Sequence, residues 1–487
     1  MEKFLDGLLN VVQTINAYLS DYVLIALLVG VGVFYTIKTH FVQVRCFKQG
    51  MKQVFGNMKL KGGKQKGGMS SFQAFTAAVA AQVGTGNIVG ASGAILIGGP
   101  GAIFWMWVIA FFGMATNYSE AVLAQKTRLL NEDGTVSGGP VYYIKKAFKG
   151  GFGKFLAIFF AISAVIALGF IGSMVQSNSI AGAVNEASGV PVWVVGIILA
   201  IITAVVFIGG ATRLASVTEK IVPLMAVIYL LGGLIIIGAR ITVIPEAFAM
   251  IFKYAFMPEA IIGGGIGAAL KIAISQGAKR GLFSNEAGMG STPHAHAQAN
   301  VKNPHTQGIS AMIGVFIDTF VVLTMTALIV ISTLYAGDGM LSSPEKLEMA
   351  LAGGINKNNL VKNGIATVFG GGNTGLTIGG IFVAVCLFFF AFSTILSWNL
   401  FGKINFNYLF GKKSTIVYMV ISVVFVFLGT VFKNDLVWEL TDFFNYLMVL
   451  PNVLALFVLS KVVVKEVKEN GKKSFKDTPN ESLKKDI

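Results

Sequence analysis

Two short segments combine glycine with side chains that can bind an ion or a small polar molecule. They are AQVGTGNIVG, residues 81–90, and GLFSNEAGMG, residues 281–290. Both lie in apolar stretches, where glycine weakens a helix interior by about 1 kcal/mol relative to alanine. In lipid, backbone that leaves the helix must be buried in protein or line a cavity. Its freed N–H groups then face an anion, and its freed carbonyl groups face a cation.

Close helix packing is the other reason for glycine in such segments, because small residues let two backbones approach each other. For one glycine-rich segment alone, packing is the better interpretation. Here two segments lie at matching positions of two halves of the chain, with Asn87 and Asn285 beside the glycines. The pair favours a binding site formed by two interrupted helices.

Acidic residues inside apolar segments are functional hypotheses by default. Asp318, in GVFIDTFVV, can bind a cation, relay a proton or pair with a base such as Lys271, Lys279 or Arg280. Of these roles, the structural pair is favoured. Glu286, within the second glycine segment, is expected to brace that segment through hydrogen bonds.

Five other residues with ionisable side chains are expected to have no direct part in binding. Glu120 is predicted to lie at the membrane interface, near the end of a span. His294 and His296 are two residues apart without a nearby acid or cysteine, so a solvated loop is expected rather than a metal site. Cys46 and Cys386 give no disulfide framework and are expected at packing or loop positions.

The composition determines which class of protein must position these residues. The 487 residues are 54% hydrophobic and 13% charged, whereas soluble domains average about 25% charged residues. The mean hydropathy is +0.73. The net charge of +15 is concentrated in alternate loops, which is the positive-inside pattern of a membrane protein and excludes nucleic acid as a partner.

A membrane-spanning helix needs about 20 apolar residues. By that measure we predict an all-α polytopic protein with eleven spans, near residues 20–37, 70–97, 100–125, 154–185, 190–209, 219–239, 262–290, 307–335, 372–399, 414–432 and 437–463.

The loop charges predict the orientation of these spans. Residues 38–66 carry eight lysines and arginines and no acid, so this loop is expected in the cytoplasm. With eleven spans, the N-terminal segment 1–19 then lies outside and the tail 464–487, whose end is expected to be disordered, lies in the cytoplasm of a cell-membrane protein. Residues 240–261 predict an external amphipathic segment.

The span order also predicts an internal repeat. After an extra helix at 20–37, residues 70–239 and 262–463 each provide five spans, and each set begins with a glycine-interrupted helix. An odd number of spans per set inverts the topology of the second set. Inverted repeats with broken helices are typical of secondary transporters.

Several long motifs carry a family resemblance. QVGTGNIVG, GGPGAIFWMWVIAFFGMATNYSEAVLAQKTR, GGPVYYI, GLFSNEAGMGS and HAHA resemble the alanine or glycine:cation symporter family, and the similarity extends from about residue 15 to 463. The resemblance implies the leucine-transporter fold of the amino acid–polyamine–organocation superfamily, with a 5+5 inverted repeat. It also implies uptake of L- or D-alanine or glycine, driven by sodium or protons.

A zwitterionic amino acid needs a partner for each end. Backbone N–H groups at Thr85, Gly86 and Asn87 suit its carboxylate. The carbonyl groups near Phe283 and Ser284, with the Asn285 side chain, suit its ammonium group.

Three further positions complete the expected substrate site. Gly288 leaves room in the cavity, and Phe283 is a candidate wall or gate. By resemblance, Gln176 faces the substrate, and the alternative role for Gln176 is an interhelical hydrogen bond.

The fold resemblance also implies a sodium site. It places the carbonyl groups of Ala80 and Val83 opposite the hydroxyl groups of Ser393 and Thr394. The alternative is that these two hydroxyls bond to the preceding helical turn. Sodium or a proton is the coupling ion, and no other cofactor is expected.

Other functional classes fit the sequence less well. A channel for a small zwitterionic solute would more often assemble its pore from subunits with repeated filter sequences. A transporter-like sensor would need a signalling domain, which is not apparent in the sequence. No catalytic constellation is apparent in the spans, so an enzyme is not expected. We expect a monomer in contact with membrane lipid.

Overall fold

The computed structural model describes residues 2–56, 68–132, 134–257, 266–432 and 434–471. These residues are predominantly helical. Strands β1 (Leu129–Leu130) and β2 (Val136–Ser137) form a short antiparallel hairpin. The helices of the first half are α1 Glu2–Tyr18, α2 Ile25–Lys38, α3 Val42–Arg45, α4 Phe47–Phe55, α5 Ser71–Gln82, α6 Ala91–Gly98, α7 Gly101–Thr127, α8 Pro140–Ala147, α9 Gly150–Ala164, α10 Gly172–Ser188, α11 Val192–Ile208, α12 Gly210–Ala239 and α13 Ile244–Phe256.

The second half continues in the same way. Its helices are α14 Ile266–Asn285, α15 Pro293–Gln298, α16 Pro304–Val315, α17 Thr324–Val330, α18 Pro344–Ala352, α19 Leu360–Val368, α20 Gly372–Phe410, α21 Thr415–Val431, α22 Asn434–Val458 and α23 Ser460–Asn470. Wider π-helical turns occur at Leu19–Leu24, Gly86–Gly90, Val165–Ile171, Phe316–Leu323 and Ile331–Tyr335, and 3₁₀ turns at Ile241–Val243 and Lys412–Ser414.

Eight stretches of the described chain are long and apolar enough to cross a membrane. They are Asp6–Lys38, Gly101–Thr127, Gly150–Ser188, Gly210–Ala239, Pro304–Tyr335, Gly372–Phe410, Lys412–Val431 and Asp435–Val458. A ninth is added if Ser71–Gln82 and Gly86–Gly98, bent by 43° at their break, form one span.

The two other predicted spans are less apolar or shorter. Helix α11 has 17 residues, and α14 carries Lys271, Lys279 and Arg280 among its 20. The helical architecture is therefore that of a multi-pass membrane protein, whereas the count of eleven stays a prediction.

Some predicted boundaries differ from the structure. Helix α1 continues through a π-helical turn into α2, so the segment 1–19 is mostly helical. Helix α20 runs to Phe410 rather than 399, and α14 ends at Asn285, five residues before the predicted end of its span. The predicted tail begins inside α23, and residues 472–487 lie outside the described residues.

Local sequence explains how α5 begins and ends. The Ser70 hydroxyl accepts from the Gln73 N–H at 3.0 Å, and the Gln73 side chain accepts from the Ser70 N–H at 3.1 Å, a capping box. The helix ends at Gln82, because Val83 leaves helical geometry at φ −80° and ψ 87°. The chain resumes as the π-helical turn Gly86–Gly90.

The outer surface of the helical layer is apolar. On α11, Ile201, Val205 and Ile208 are 59%, 53% and 76% exposed, at the spacing that places them on one helix face. A contiguous exposed apolar face marks contact with a membrane or a partner. Inside, large side chains such as Trp398 and Tyr118 are buried in the core that surrounds the two glycine segments.

Candidate binding site at two helix breaks

The interruption predicted from AQVGTGNIVG is confirmed, and side chains hold its freed N–H groups. The Gly84 N–H donates to Asn87 Oδ1 at 3.0 Å. The Thr85 N–H donates to Gln176 Oε1, on α10, at 3.2 Å. Gln176 therefore forms the interhelical hydrogen bond that was one of its two predicted roles.

Asp318 connects the two breaks. Its Oδ1 accepts from the side-chain amide of Asn87 at 2.7 Å, and its Oδ2 accepts from the Ser284 hydroxyl at 2.8 Å and the Thr319 hydroxyl at 3.0 Å. All four side chains are fully buried. Asp318 lies in the π-helical turn Phe316–Leu323, and such turns are frequent at functional sites.

The favoured pairing of Asp318 with a base is wrong. Its described side-chain partners are neutral, and Lys271 instead lies 3.4 Å from Asp21. Arg280 lies 3.2 Å from Asp442. These bases precede the break on α14 and face other elements, so they leave the Asp318 carboxylate without a positive partner among the described residues.

Two buried groups beside the first break that can donate a hydrogen bond have no partner in the described structure, and the acceptor Gln82 Oε1 there has none either. The two donors are the Gln176 amide nitrogen Nε2 and the Thr85 hydroxyl Oγ1. Both side chains are at most 1% exposed. Buried polar groups are normally satisfied, so these two donors, which lie around the same backbone N–H, are available for a further hydrogen bond.

Glycine in the first break also permits close packing. A Cβ at Gly84 would lie 2.5 Å from Thr394 Oγ1 on α20. A Cβ at Gly86 would lie 3.0 Å from Phe283 Cδ1 and 3.2 Å from Ser284 Cα. The two breaks touch at Gly86. Close packing, the other predicted reason for glycine, therefore holds for the same residues that interrupt the helix.

Aromatic rings border this contact. The Phe283 ring centroid lies 5.9 Å from that of Trp398, edge to face, and 4.9 Å from that of Trp438. Phe283 is 5% exposed. Phe283, the predicted wall or gate, is thus part of a three-ring cluster, whose two tryptophans were not singled out from the sequence.

Gln82 is a site residue that the sequence reasoning missed. Its side-chain nitrogen donates to the Asn285 carbonyl oxygen at 2.8 Å, which joins the end of α5 directly to the end of α14. The Asn285 side chain accepts from the Ala287 N–H at 3.1 Å and donates to the Thr319 hydroxyl at 3.3 Å. An amide directly before the glycine patch, after the apolar run AAVAA, was the available signal.

Glu286 braces the second break through hydrogen bonds, as expected. Its two carboxylate oxygens accept from the Trp398 ring N–H and from the Ser291 hydroxyl. Its φ of 58° is uncommon for a residue other than glycine. The bonds to α20 and to the following turn therefore hold a conformation that local preference alone disfavours.

Gly288 lies on another side of the second break. At φ 88° its N–H donates to Glu120 Oε2 at 3.1 Å, and its carbonyl accepts from Asn452 at 2.9 Å. A Cβ there would meet Leu28 on α2 at 2.8 Å, so the structure does not bring Gly288 together with Thr85. Glu120, predicted at the membrane interface, is fully buried within the protein, and α7 continues past it as far as Thr127.

The solvated loop predicted for His294 and His296 is also wrong. Both lie in the short helix α15, which folds into the interior and leaves them at most 1% exposed. His294 bonds to the Ser291 carbonyl at 2.7 Å and to Asn405 at 2.8 Å. Burial lowers the pKa of His294 to about 4 and that of His296 to about 3, so both rings are neutral near pH 7.

Three of the four predicted sodium ligands come together. The Thr394 hydroxyl lies 2.8 Å from the Ala80 carbonyl oxygen and 3.5 Å from that of Val83. Ser393 faces elsewhere: its hydroxyl bonds to the Phe390 carbonyl at 2.9 Å, in its own helix, and contacts the sulfur of Met225 at 3.6 Å. The Thr394 hydroxyl also lies 3.0 Å from the Phe390 carbonyl oxygen, so the back-bonding alternative describes both hydroxyls, and Thr394 alone of the two reaches the first break as well.

Comparison with known proteins decides the family. The chain matches the sodium:alanine symporter family over residues 5–484. It belongs to that family. It is 40% identical to the sodium/alanine symporter AgcS of Methanococcus maripaludis over 94% of this chain and 96% of that protein. The amino-acid carrier protein AlsT of Bacillus subtilis is 38% identical over 97% and 93% of the two chains.

A solved structure is also similar. It is a crystal structure of a mutant manganese transporter from Eremococcus coleocola. The superposition covers 81% of this chain and 78% of the transporter chain, at 14% sequence identity and a TM-score of 0.49.

Membership of the sodium:alanine symporter family confirms the resemblance found in the motifs. The chain is a multi-pass membrane transporter rather than an enzyme, and its class of activity is cation-coupled amino-acid symport, with sodium as the ion that the family implies.

Proposed function

We propose that this chain takes up alanine and glycine together with sodium, at a site between the two helix breaks. The relatives support the substrate class, since one is named a sodium/alanine symporter and another an amino-acid carrier. The observation that carries the proposal is the pair of unpartnered buried groups at the first break, beside an unpaired carboxylate.

The carboxylate of the amino acid binds at the first break. The Gln176 amide nitrogen and the Thr85 hydroxyl are buried and without partners there, and both can donate to a carboxylate. Gly86 and Asn87 begin the second half of the broken helix, where the helix dipole also favours an anion; the Gly86 N–H is the donor there, because the Asn87 N–H donates to the Gly84 carbonyl oxygen at 3.3 Å.

The ammonium group binds at the second break. Carbonyl groups at the end of α14, near Phe283 and Ser284, and the Asn285 side chain are the acceptors. Phe283 with Trp398 and Trp438 closes one side of the site, which restricts the side chain of the substrate to hydrogen or methyl. Gly288, which contacts α2 and α7, contributes to the shape of the break rather than to the wall.

The coupling ion neutralises Asp318. A buried carboxylate that hydrogen-bonds only to neutral donors is destabilising without a compensating positive charge. A sodium ion beside Asp318, with the Ser284 and Thr319 hydroxyls as further oxygen ligands, supplies that charge. Ala80, Val83 and Thr394 are the second candidate sodium position, and Ser393 would join it only after rotation of its side chain.

The substrate reaches this site by alternating access. Thr85, Asn87, Gln176, Ser284 and Asp318 are at most 1% exposed, so neither substrate nor ion can enter without movement of helices. We propose that the repeats 70–239 and 262–463 move against each other around the site. The N-terminus lies outside the cell and the C-terminus in the cytoplasm.

Uptake of labelled alanine into proteoliposomes tests this function. We expect saturable accumulation driven by an inward sodium gradient with the pH clamped, and competition by glycine. Accumulation driven by a pH gradient in sodium-free buffer would instead assign a proton as the coupling ion. Uptake of neither alanine nor glycine under either gradient would contradict the proposal, and equilibration without accumulation would indicate a channel.

A further inference from the structure

A basic groove lies where two membrane helices end, away from the helix breaks. It is formed by Phe34 and Lys38 on α2 and by Lys461, Val464, Lys465 and Lys468 on α23. Helix α2 ends at Lys38, and α23 begins two residues after the end of α22. The groove, which has a volume of about 570 Å³, is therefore at the level where the apolar helices meet water.

The groove is strongly positive. Four lysines line it, and Glu469 is the acid that lines it, 3.8 Å from Lys465. Lys38, Lys461 and Lys468 have no ion-pair partner among the described residues, and all are exposed. The Lys38 ammonium lies 5.9 Å above the Phe34 ring, so its chain folds along the wall of the groove.

The backbone that carries three of these lysines is fixed. Lys461, Lys465 and Lys468 are spaced at i, i+4 and i+7, on one face of α23, while Glu466 on another face is 1% exposed. The Glu466 carboxylate lies 2.9 Å from the Lys126 ammonium and accepts from a backbone N–H of α16 at 3.3 Å. The lysine face is thus held against the bundle rather than on a free tail.

Apolar side chains lie directly beside the charge. Ile37 is 60% exposed next to Lys38, and Leu454 and Val458, on the last turns of α22, are 44% and 51% exposed. A soluble anion would contact the lysines but not these apolar side chains, because it has no apolar part. A lipid has a charged phosphate above apolar chains, which matches lysines at the ends of helices whose last turns expose Ile37, Leu454 and Val458.

We propose that this lysine groove binds the phosphate headgroup of an anionic membrane lipid, with the acyl chains along the outer faces of α2 and α22. Lysine binds phosphate as a mobile point charge, so several lysines share one headgroup. Each lysine close to an anionic lipid strengthens binding about fivefold. The proposal rests on the membrane location of the helices and not on the transport function, so loss of alanine uptake would not affect it.

The test measures binding of phosphatidylglycerol to the full-length protein in detergent, by native mass spectrometry. The variant combines Lys461→Gln, Lys465→Gln and Lys468→Gln. We expect one tightly retained lipid on the unaltered protein and an affinity about 100-fold lower for the variant, with no comparable retention of phosphatidylcholine by either. The matched control, Lys146→Gln with Lys149→Gln and Lys154→Gln, removes three exposed lysines elsewhere and should retain the lipid.

Three outcomes would overturn the proposal: equal affinity of the unaltered protein and the groove variant, equal loss in the groove and control variants, or displacement of the lipid by equimolar inorganic phosphate. Thermal unfolding in phosphatidylcholine checks that the variants fold. If the triple variant does not fold, Lys461→Gln and Lys468→Gln are measured singly, and each should weaken phosphatidylglycerol binding about fivefold.

Discussion

The side-chain amide of Gln82 donates a 2.8 Å hydrogen bond to the carbonyl oxygen of Asn285, and so connects the last residue of α5 to the last residue of α14. Both residues are at most 2% exposed. This side chain therefore links the two broken helices directly, whereas Asp318 links them through Asn87 and Ser284. Any change in the distance between the breaks must alter this bond.

Replacement of Gln82 by leucine should loosen the site. The Asn285 carbonyl would be left buried and unpartnered, a loss of about 1–3 kcal/mol of stability. Because the bond also sets the distance between the breaks, we expect alanine binding to weaken beyond what the lost stability explains. Calorimetric titration with alanine and the unfolding temperature, both in detergent, measure the two effects.

Gln43→Leu is the matched control for Gln82→Leu. Gln43 is 2% exposed, and its amide donates to the Thr36 hydroxyl at 2.8 Å, far from the breaks. It should lower the unfolding temperature similarly and leave alanine affinity unchanged. Equal alanine affinities for both variants and the unaltered protein would show that Gln82 has a structural role alone.

Asp318→Asn should uncouple alanine binding from sodium. The substitution keeps the size of the side chain and removes its negative charge, which a bound cation needs. Breaking a buried charge pair costs about 3–5 kcal/mol, so the sodium concentration at half-maximal alanine binding should rise about 100-fold or more. Glu286→Gln, which alters the carboxylate held by Trp398 and Ser291, is the control and should keep the sodium dependence. An unchanged sodium dependence in Asp318→Asn would place the ion elsewhere.

Gln176→Ala should weaken alanine binding about 10- to 100-fold, because hydrogen bonds to a charged group contribute about 1.5–3 kcal/mol. The side chain has an unpartnered, buried amide nitrogen, so the protein loses one interhelical bond, to the Thr85 N–H. Asn178→Ala, two residues further along α10, removes bonds to the Gly429 and Phe432 carbonyl groups and should leave affinity unchanged. Equal alanine affinity in the Gln176 variant and the unaltered protein would move the carboxylate position away from the first break.

The first break could be predicted from the sequence because its cause is local. Gly84 and Gly86, with polar neighbours, disfavour helix wherever the segment lies. The partners of Asp318 could not be predicted in the same way. They depend on how the end of α14, the first break and the π-helical turn Phe316–Leu323 meet, and that is decided by packing over the whole bundle. Sequence spacing alone therefore suggested a lysine or arginine of α14.

The misassigned burial of Glu120 and His294 has a similar cause. An acid near the end of an apolar run and a histidine in a polar stretch both suggest contact with water. In the structure α7 continues beyond Glu120, and α15 folds inward to stack His294 between Phe160 and Phe401. Their hydrogen-bond partners, Asn452 and Asn405, come from distant parts of the chain. Only tertiary structure supplies those partners, and their hydrogen bonds offset the cost of burying the Glu120 and His294 side chains.

Two adjacent hydroxyl residues on α20, Thr394 and Ser393, provide a test of the second sodium position and its matched control. Both hydroxyls bond to the Phe390 carbonyl of their own helix, but the Thr394 hydroxyl also lies 2.8 Å from the Ala80 carbonyl oxygen, whereas Ser393 contacts Met225. Thr394→Val keeps the shape of the side chain and removes one candidate sodium ligand, so the sodium concentration at half-maximal uptake should rise about tenfold or more. Ser393→Ala should change it by less than about twofold, because its hydroxyl faces away from the break and its bond is a weak local one. Sodium dependence of alanine uptake in proteoliposomes measures both variants. A larger effect at Ser393 than at Thr394 would mean that the ion binds after rotation of α20, on the face that the present structure turns towards Met225.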